Sequence, residues 1–149
     1  MFRNILVPTD GSARSRRAAA IAVRLAKEQG ARVTALWVGP AWEPNLYAYE
    51  RDVPPGYVAP HEHAAHVKRM SSRFLAPVLR SAVKAGVKCE GVAVQGVFPH
   101  DEIIKATRRT GCDLIVMGSH GRRGVSLLLL GSVTSKVVAL ATVPVLVCR

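Results

Sequence analysis

Much of what marks a specialised chain is missing from these 149 residues. Cysteine occurs only at Cys89, Cys112 and Cys148. That number is odd and no C-x-x-C spacing exists, which argues against a disulfide framework or a zinc ribbon. Each thiol sits in or beside an apolar run, where a buried free cysteine is the ordinary reading, and the usage fits a reducing compartment. The longest nearly apolar stretch, Val137–Cys148, is broken by Thr142 and Pro144 and is too short to span a bilayer. The opening residues, MFRNILVPTDGS, reach an acid and a turn too soon for a secretory signal. Neither G-x-x-x-x-G-K-[ST] nor a G-x-G-x-x-G following a strand occurs, so the chain has neither a Walker-type NTPase loop nor a dinucleotide fingerprint. No internal repeat or low-complexity segment is evident. The expectation is a soluble, cytoplasmic, single domain over residues 1–149.

What the chain does have is enough apolar material for a core. At 16.0 kDa it should bury roughly 68–70% of its unfolded surface without metal or disulfide staples. Hydrophobic residues make up 49% and charged residues 21%, which excludes general disorder. Lys and Arg number 21 against 10 acids, a formal net charge of +11. Such a balance suits anionic ligands. The cations are scattered, however. Pairs occur at Arg16-Arg17, Lys68-Arg69, Arg108-Arg109 and Arg122-Arg123, and no run exceeds two. Most of them read as a solvated surface.

Short apolar runs alternate with helical periodicity. Asn4–Pro8 reads as a buried strand ending in the turn Thr9-Asp10-Gly11. Ser12 can cap the next helix, whose inner face is Ala18, Ile21, Ala22, Leu25 and Ala26, with Gly30 as a stop. Arg32–Val38 is a second strand. From Gly39 to Pro60 five prolines alternate with Trp42, Tyr47, Tyr49 and Tyr57, predicting a long loop or lid over 39–60. His61 to about Gly86 is helical, with Val67, Met70, Phe74, Val78 and Ala82 on one face. Pro77 inside it predicts a kink or two abutting helices. Lys88–Val94 is a third strand. Pro99, Asp101 and Glu102 open a helix with Ile103, Ile104 and Thr107 inward. Asp113–Gly118 is a fourth strand. Ser132–Ala141 is a helix facing inward through Val133, Val137, Leu140 and Ala141, and Pro144–Cys148 is a fifth strand. This order predicts an α/β fold, an open five-stranded parallel sheet with helices on both faces.

The most informative stretch is Met117–Ser135, MGSHGRRGVSLLLLGSVTS, which follows a strand and runs into a helix. Gly118, Gly121 and Gly124 permit left-handed backbone and close approach to a ligand. Successive amides in such a loop form anion-binding concavities. Gly131-Ser132 opens the next helix, where free N–H groups and the positive dipole end favour phosphate. Ser132 and Thr134 add hydroxyls. Arg122 and Arg123 either neutralise a polyphosphate or face solvent. A glycine-rich turn that binds nothing is the competing reading, weakened by the helix start.

These residues resemble the ATP-binding branch of the universal stress protein family, whose pattern is G-x-x-G, nine residues, then G-[S/T]. Gly118-Ser119-His120-Gly121, the nine residues Arg122–Leu130, and Gly131-Ser132 match it without a gap. NILVPTDGS, DLIVMGSHG and ATVPVLVC resemble the family's first, fourth and last strands. The similarity covers the whole chain, weakest over Gly39–His66. It implies a Rossmann-like, adenine nucleotide alpha hydrolase-like fold with strand order 3-2-1-4-5. It further implies that Pro8, Thr9 and Asp10 lie beside the nucleoside, that Val38 flanks adenine, and that Met117 and Gly118 border adenine and ribose. Gly121, Gly131, Ser132, Val133 and Thr134 would hold the phosphates of ATP, or of ADP or AMP, with Mg or Mn as a possible companion ion. A homodimer through the last strand, Pro144–Cys148, is also implied, and a protein partner of unknown identity. Ligands at the carboxyl ends of strands near a topological switch point are expected of open parallel sheets in any case.

Other candidates carry less. Asp10 has three readings, a ribose ligand, a magnesium ligand or a cap for the turn of Ser12. No second acid or base that would activate water is evident, so no catalytic residue is assigned. His120 either contacts phosphate or faces solvent. His61-Glu62-His63-Ala64-Ala65-His66 is not H-E-x-x-H, and a chance histidine cluster is the plainer reading than metal. The aromatic loop holds Arg51 against Glu43, Glu50 and Asp52, which makes nucleic acid an improbable partner. Three functions follow in order: a nucleotide-binding regulatory or stress-response protein, a slow ATPase in the same pocket, and a non-nucleotide dimeric interaction module.

Overall fold

The computed structural model describes residues 1–42, 59–120 and 130–149. Strand and helix alternate throughout: β1 (Asn4–Pro8), α1 (Ala13–Gln29), β2 (Arg32–Gly39), α2 (Pro60–Ala85), β3 (Cys89–Gln95), α3 (Pro99–Thr110), β4 (Leu114–Gly118), α4 (Ser132–Leu140) and β5 (Val145–Cys148). The strands pair in parallel in the order β3-β2-β1-β4-β5. The predicted strand order is therefore the observed one. β1 lies at the centre, with Ile5 opposite Val33 on one side and Leu114 on the other.

Side-chain alternation along each strand divides the core in two. Ile5, Val7, Val33, Ala35, Trp37, Leu114 and Val116 face α1 and α2. Leu6, Leu36, Ile115 and Met117 face α3 and α4. Both faces are covered, which is why the central strands read as unbroken apolar runs. Each fully buried Ile, Leu or Val is worth about 1.5–3 kcal/mol. α1 meets the sheet through Ala18, Ala19, Ala22 and Ala26, all buried. Alanines let the helix axis come close, and that closeness reappears at the site.

Local chemistry sets the helix ends. The Ser12 hydroxyl accepts the Ser15 N–H at 3.1 Å and opens α1. Pro60 starts α2, and the Glu62 carboxylate accepts the Ala59 N–H at 3.3 Å. Pro99 starts α3, with Asp101 and Glu102 in its first turn. Left-handed Gly30, Gly86 and Gly111 end these three helices.

Several expectations are corrected. α2 is one helix from Pro60 to Ala85 with Pro77 inside it, not two abutting helices. Its buried face of Val67, Leu75, Val78 and Ala82 runs past the proline on both sides. Gly39 closes β2 and Pro60 opens α2, so both end residues of the predicted loop belong to the flanking elements. The lid reading of that connection falls on 43–58, outside the described residues. Leu140 was expected inward and is 53% exposed, because α4 ends there and its buried residues are Thr134 and Val137.

At the amino-terminal edge of the sheet a polar network crosses the strands. Asn4 is buried. It donates through Nδ2 to the Thr110 carbonyl at 2.9 Å and accepts the Thr34 hydroxyl at 3.1 Å. The Thr34 hydroxyl also lies 3.1 Å from Glu90 Oε1. Asp113 receives the Arg3 and Asn4 amides at 2.9 and 3.1 Å. Asn4→Ala leaves the Thr110 carbonyl with only the 3.5 Å contact from Arg32 and removes a partner of Thr34. It should cost about 2 kcal/mol in urea unfolding. A loss below about 0.5 kcal/mol would show that water replaces the amide without penalty.

Candidate functional site

β1 and β4 are neighbours whose chains leave the sheet in opposite directions. After β1 the chain turns into α1 on one face; after β4 it reaches α4 on the other. This divergence opens a crevice at their carboxyl ends, the expected place for a ligand in an open parallel sheet.

The β1 side is a tightly tied turn. The Thr9 N–H donates to the Leu36 carbonyl at 2.8 Å. Its hydroxyl lies 3.3 Å from Ser15 Oγ and accepts the Gly11 N–H at 3.3 Å. Asp10 accepts the Ser12 N–H at 3.0 Å, so the turn-capping reading of Asp10 is realised. Gly11 takes φ 76°, and a Cβ there would collide with the Phe74 ring. Both facts require glycine.

The β4 side is a clamp. The Ser119 N–H donates to the Cys148 carbonyl at 2.7 Å, and the Ser119 carbonyl accepts the Gly131 N–H at 2.8 Å. The Thr134 hydroxyl donates to the Gly118 carbonyl at 2.9 Å. Thr134, Ser119 and His120 are all buried. His120 Nδ1 lies 3.3 Å from Ser119 Oγ. The first turn of α4 is thereby pinned to the last residues of β4. The intervening segment 121–129, with Gly121, Gly124, Arg122 and Arg123, lies outside the described residues, but both of its ends are fixed together.

Glycine serves this clamp differently from the sequence expectation. Gly118 is not left-handed; among the described residues the positive-φ glycines are Gly11, Gly30, Gly86 and Gly111. A Cβ at Gly118 would lie 3.1 Å from the backbone carbon of Arg14. Gly118 is what lets alanine-faced α1 reach the end of β4. Gly131 has ordinary φ −60° and ψ 153°, and a Cβ there would lie 3.2 Å from His120 Cα and 3.3 Å from the Ser119 oxygen. Close approach, not backbone freedom, selects glycine at both positions. The solvent-facing reading of His120 is also corrected, since the clamp buries it.

α4 differs from the other helices in what it leaves open. Its N-cap is Gly131, with no capping side chain, and its first turn has no acid. Among the described residues the amides of Ser132, Val133 and Thr134 have no backbone acceptor. The Thr134 hydroxyl is spent on Gly118, so Thr134 can offer only its amide; Ser132 is exposed and offers both. Uncapped amides and the positive dipole end make such a helix start suited to an anion, and no carboxylate of its first turn neutralises it. Pro8, Val38 and Met117 fall on the same sheet face as the α4 side by strand alternation, Pro8 and Val38 half-buried and Met117 buried. They can supply an apolar wall. A cleft of about 180 Å³ opens between the first turns of α3 and α4, lined by Phe98, Pro99, His100, Ser132, Val133 and Lys136.

Sequence reasoning missed Ser119 and Arg14. Ser119 was visible as the residue between a strand and the glycine segment; nothing in the sequence placed Arg14 against Gly118. The three thiols are pushed above the ordinary value chiefly by burial, at Cys112 and Cys89 within the core edge and at Cys148 beside the clamp. None is poised as a nucleophile. Among the described residues no group of three His, Cys, Asp or Glu could hold a metal ion. His63 Nε2 lies 3.2 Å from the Pro40 carbonyl.

The sequence profile of the Usp family, universal stress protein family, matches residues 1–149. The chain belongs to the universal stress protein family. It is 37% identical to universal stress protein YxiE of Bacillus subtilis over the whole of both chains. The structure of MJ0577, a Methanocaldococcus jannaschii universal stress protein, superposes with a TM-score of 0.79 at 28% identity, covering 99% of this chain and 96% of that one. The Archaeoglobus fulgidus universal stress protein solved in complex with dAMP superposes with a TM-score of 0.68 at 21% identity, covering 99% and 98%. The universal stress protein fold, adenine nucleotide alpha hydrolase-like, is thus shared throughout.

If Gly118 is chosen for close approach, Gly118→Ala should destabilise this universal stress protein by about 1–3 kcal/mol, since Arg14 backbone must move. Thermal unfolding by circular dichroism measures this. A change within about 0.5 kcal/mol would mean that α1 yields freely.

Proposed function

We propose that this universal stress protein binds an adenine nucleotide, ATP or its di- or monophosphate, and acts as a nucleotide-dependent regulatory or stress-response protein rather than a fast enzyme. The observation that carries the reading is the first turn of α4: uncapped, free of acids and clamped at the switch point. The complex of the Archaeoglobus fulgidus protein with dAMP supports the choice of an adenine nucleotide. In this reading the amides of Ser132, Val133 and Thr134 receive phosphate oxygens, and Gly121 and Gly131 belong to the same phosphate-holding segment. Pro8, Val38 and Met117 wall the base, and Thr9, Asp10 and Gly118 lie beside the ribose. A divalent ion, Mg or Mn, would sit on the phosphates, with Asp10 as the nearby carboxylate of the β1 turn; Mg is commonly held in that way, by a carboxylate and substrate phosphates. The ion would neutralise phosphate charge. Asp10 already accepts the Ser12 N–H, which suits a positioning role more than proton abstraction. The slow-ATPase alternative therefore stays second.

Ser132→Pro tests the pocket without breaking the helix. Ser132 is the first helical residue, where proline is well tolerated, and Gly131 already has the extended backbone that precedes proline. The substitution deletes one amide and one hydroxyl; Ser132→Ala deletes the hydroxyl alone. By isothermal titration, Ser132→Pro should weaken ATP by about tenfold or more relative to Ser132→Ala, the size of one charge-assisted hydrogen bond. Equal affinities in the two variants would remove the amide from the binding site.

The same reading includes a homodimer through β5, Pro144–Cys148 with its flanks. Leu146 is 41% exposed on this edge strand, with Val138 and Leu140 exposed on α4 beside it. An exposed apolar edge strand calls for a cover. Leu146→Lys should convert a dimer to monomer in sedimentation velocity. A wild-type monomer would overturn the dimer, and a dimer unaffected by the substitution would move the interface elsewhere.

A further inference from the structure

Cations dispersed along the sequence are gathered by the fold onto one face. α1 exposes Arg16, Arg17, Arg24 and Lys27, and its one acid is Glu28. α2 exposes Lys68, Arg69, Arg73, Arg80 and Lys84, and its one acid is Glu62. The two helices pack side by side over the same side of the sheet. On the other side, α3 and α4 mix Lys105, Arg108, Arg109 and Lys136 with Asp101 and Glu102. The ion pairs Arg3–Asp113, His100–Asp101 and Lys105–Glu102 lie off these two helices, where Arg16 donates to the Gly11 carbonyl and Arg73 lies 5.8 Å from the Phe74 ring centroid.

The arrangement is ordered as well as dense. Arg69, Arg73, Arg80 and Lys84 follow each other at intervals of four, seven and four, which keeps them on one stripe of the helix. That stripe lies opposite buried Val67, Leu75, Val78 and Ala82 and runs about 22 Å. Arg17 and Arg24, seven apart on α1, form a second exposed line on the neighbouring helix.

We infer that the α1–α2 face docks the phosphate backbone of a nucleic-acid duplex without sequence preference. A duplex carries one charge per roughly 1.7 Å of axis, so a long cationic stripe meets many phosphates and releases their counterions. Most of the exposed cations are arginines, whose fork matches phosphate oxygens. Single strands are bound on stacking aromatics, and among the described residues this face has no exposed Phe, Tyr or Trp; Phe74 is half-buried and Trp37 buried. Membrane-surface helices insert large apolar side chains, whereas on α1 and α2 the one exposed large apolar residue is Val83. The face is separate from the first turn of α4, so this inference does not depend on nucleotide binding. It departs from the sequence expectation because three-dimensional packing, not sequence clustering, brings the charges together.

The test is fluorescence anisotropy of the full chain with a labelled mixed-sequence duplex of about 20 base pairs across a salt series. The triple variant Arg73→Gln, Arg80→Gln, Lys84→Gln should lose about tenfold or more in affinity, and its log–log salt slope should become shallower by about 2.5. Lys105→Gln, Arg108→Gln, Arg109→Gln removes the same charge from the opposite face and should leave affinity within about twofold. The pair Arg17→Gln, Arg24→Gln gives an independent loss should the first triple fold poorly by circular dichroism. Equal losses from both triples would mean that binding follows net charge alone and would overturn the proposal. So would absence of duplex binding at about 100 mM salt, or capture by phosphatidylserine vesicles that is lost in the first triple while duplex binding persists.

Discussion

The structure depends on two hydrogen bonds that hold the start of one helix against the end of one strand. Ser119 accepts the Gly131 N–H, and Thr134 donates to Gly118. Without them the first turn of α4 would be placed against the sheet by the packing of Val133 and Val137 alone. With them, three backbone amides stand at the point where the central strands diverge. Their orientation is set by the protein's own hydrogen bonds, and preorganisation of that kind is what the proposed nucleotide site requires. The cost falls on side chains beside the clamp. Gly131 and Gly118 cannot carry a Cβ without pressing on backbone, and His120 is buried beside Ser119.

The helix layers contribute to the same end. The alanine face of α1 lets the helix descend onto β4 until Arg14 backbone meets Gly118. The Thr9–Asp10–Gly11–Ser12 turn spends its polar groups internally, and Phe74 of α2 closes over Gly11. One rim of the crevice is therefore rigid through hydrogen bonds and the other through the clamp. At the opposite end of the sheet the Asn4 network ties β1, β2 and β4 together, so the two ends are stabilised by different chemistry.

The strands were legible because central parallel strands are buried on both sides and must be apolar almost throughout; NILVP and DLIVMG could be little else. Strand order followed from resemblance and is the observed order. The helix start at Gly131-Ser132 was legible, since a glycine before a hydroxyl after a strand and a glycine-rich segment has a physical meaning without any homologue, and the structure places α4 there. The reason for each glycine was not. Sequence alone cannot distinguish a left-handed residue from one pressed against a neighbouring backbone, and Gly118 and Gly131 are of the second kind. Leu140 misled because helical periodicity continues to the end of α4, while the core it would enter does not. The gathering of cations on α1 and α2 was invisible for a similar reason: which helices share a face is a property of topology, not of local pattern.

The central claim is that the amides opening α4 are the phosphate-binding groups. Backbone amide NMR during titration with ATP tests it most directly. The account predicts that the largest shifts fall on Ser132, Val133 and Thr134, saturating together with the resonances of the β1 turn. Shifts absent from those three residues while ATP binds elsewhere, or no saturable shift at all, would contradict it.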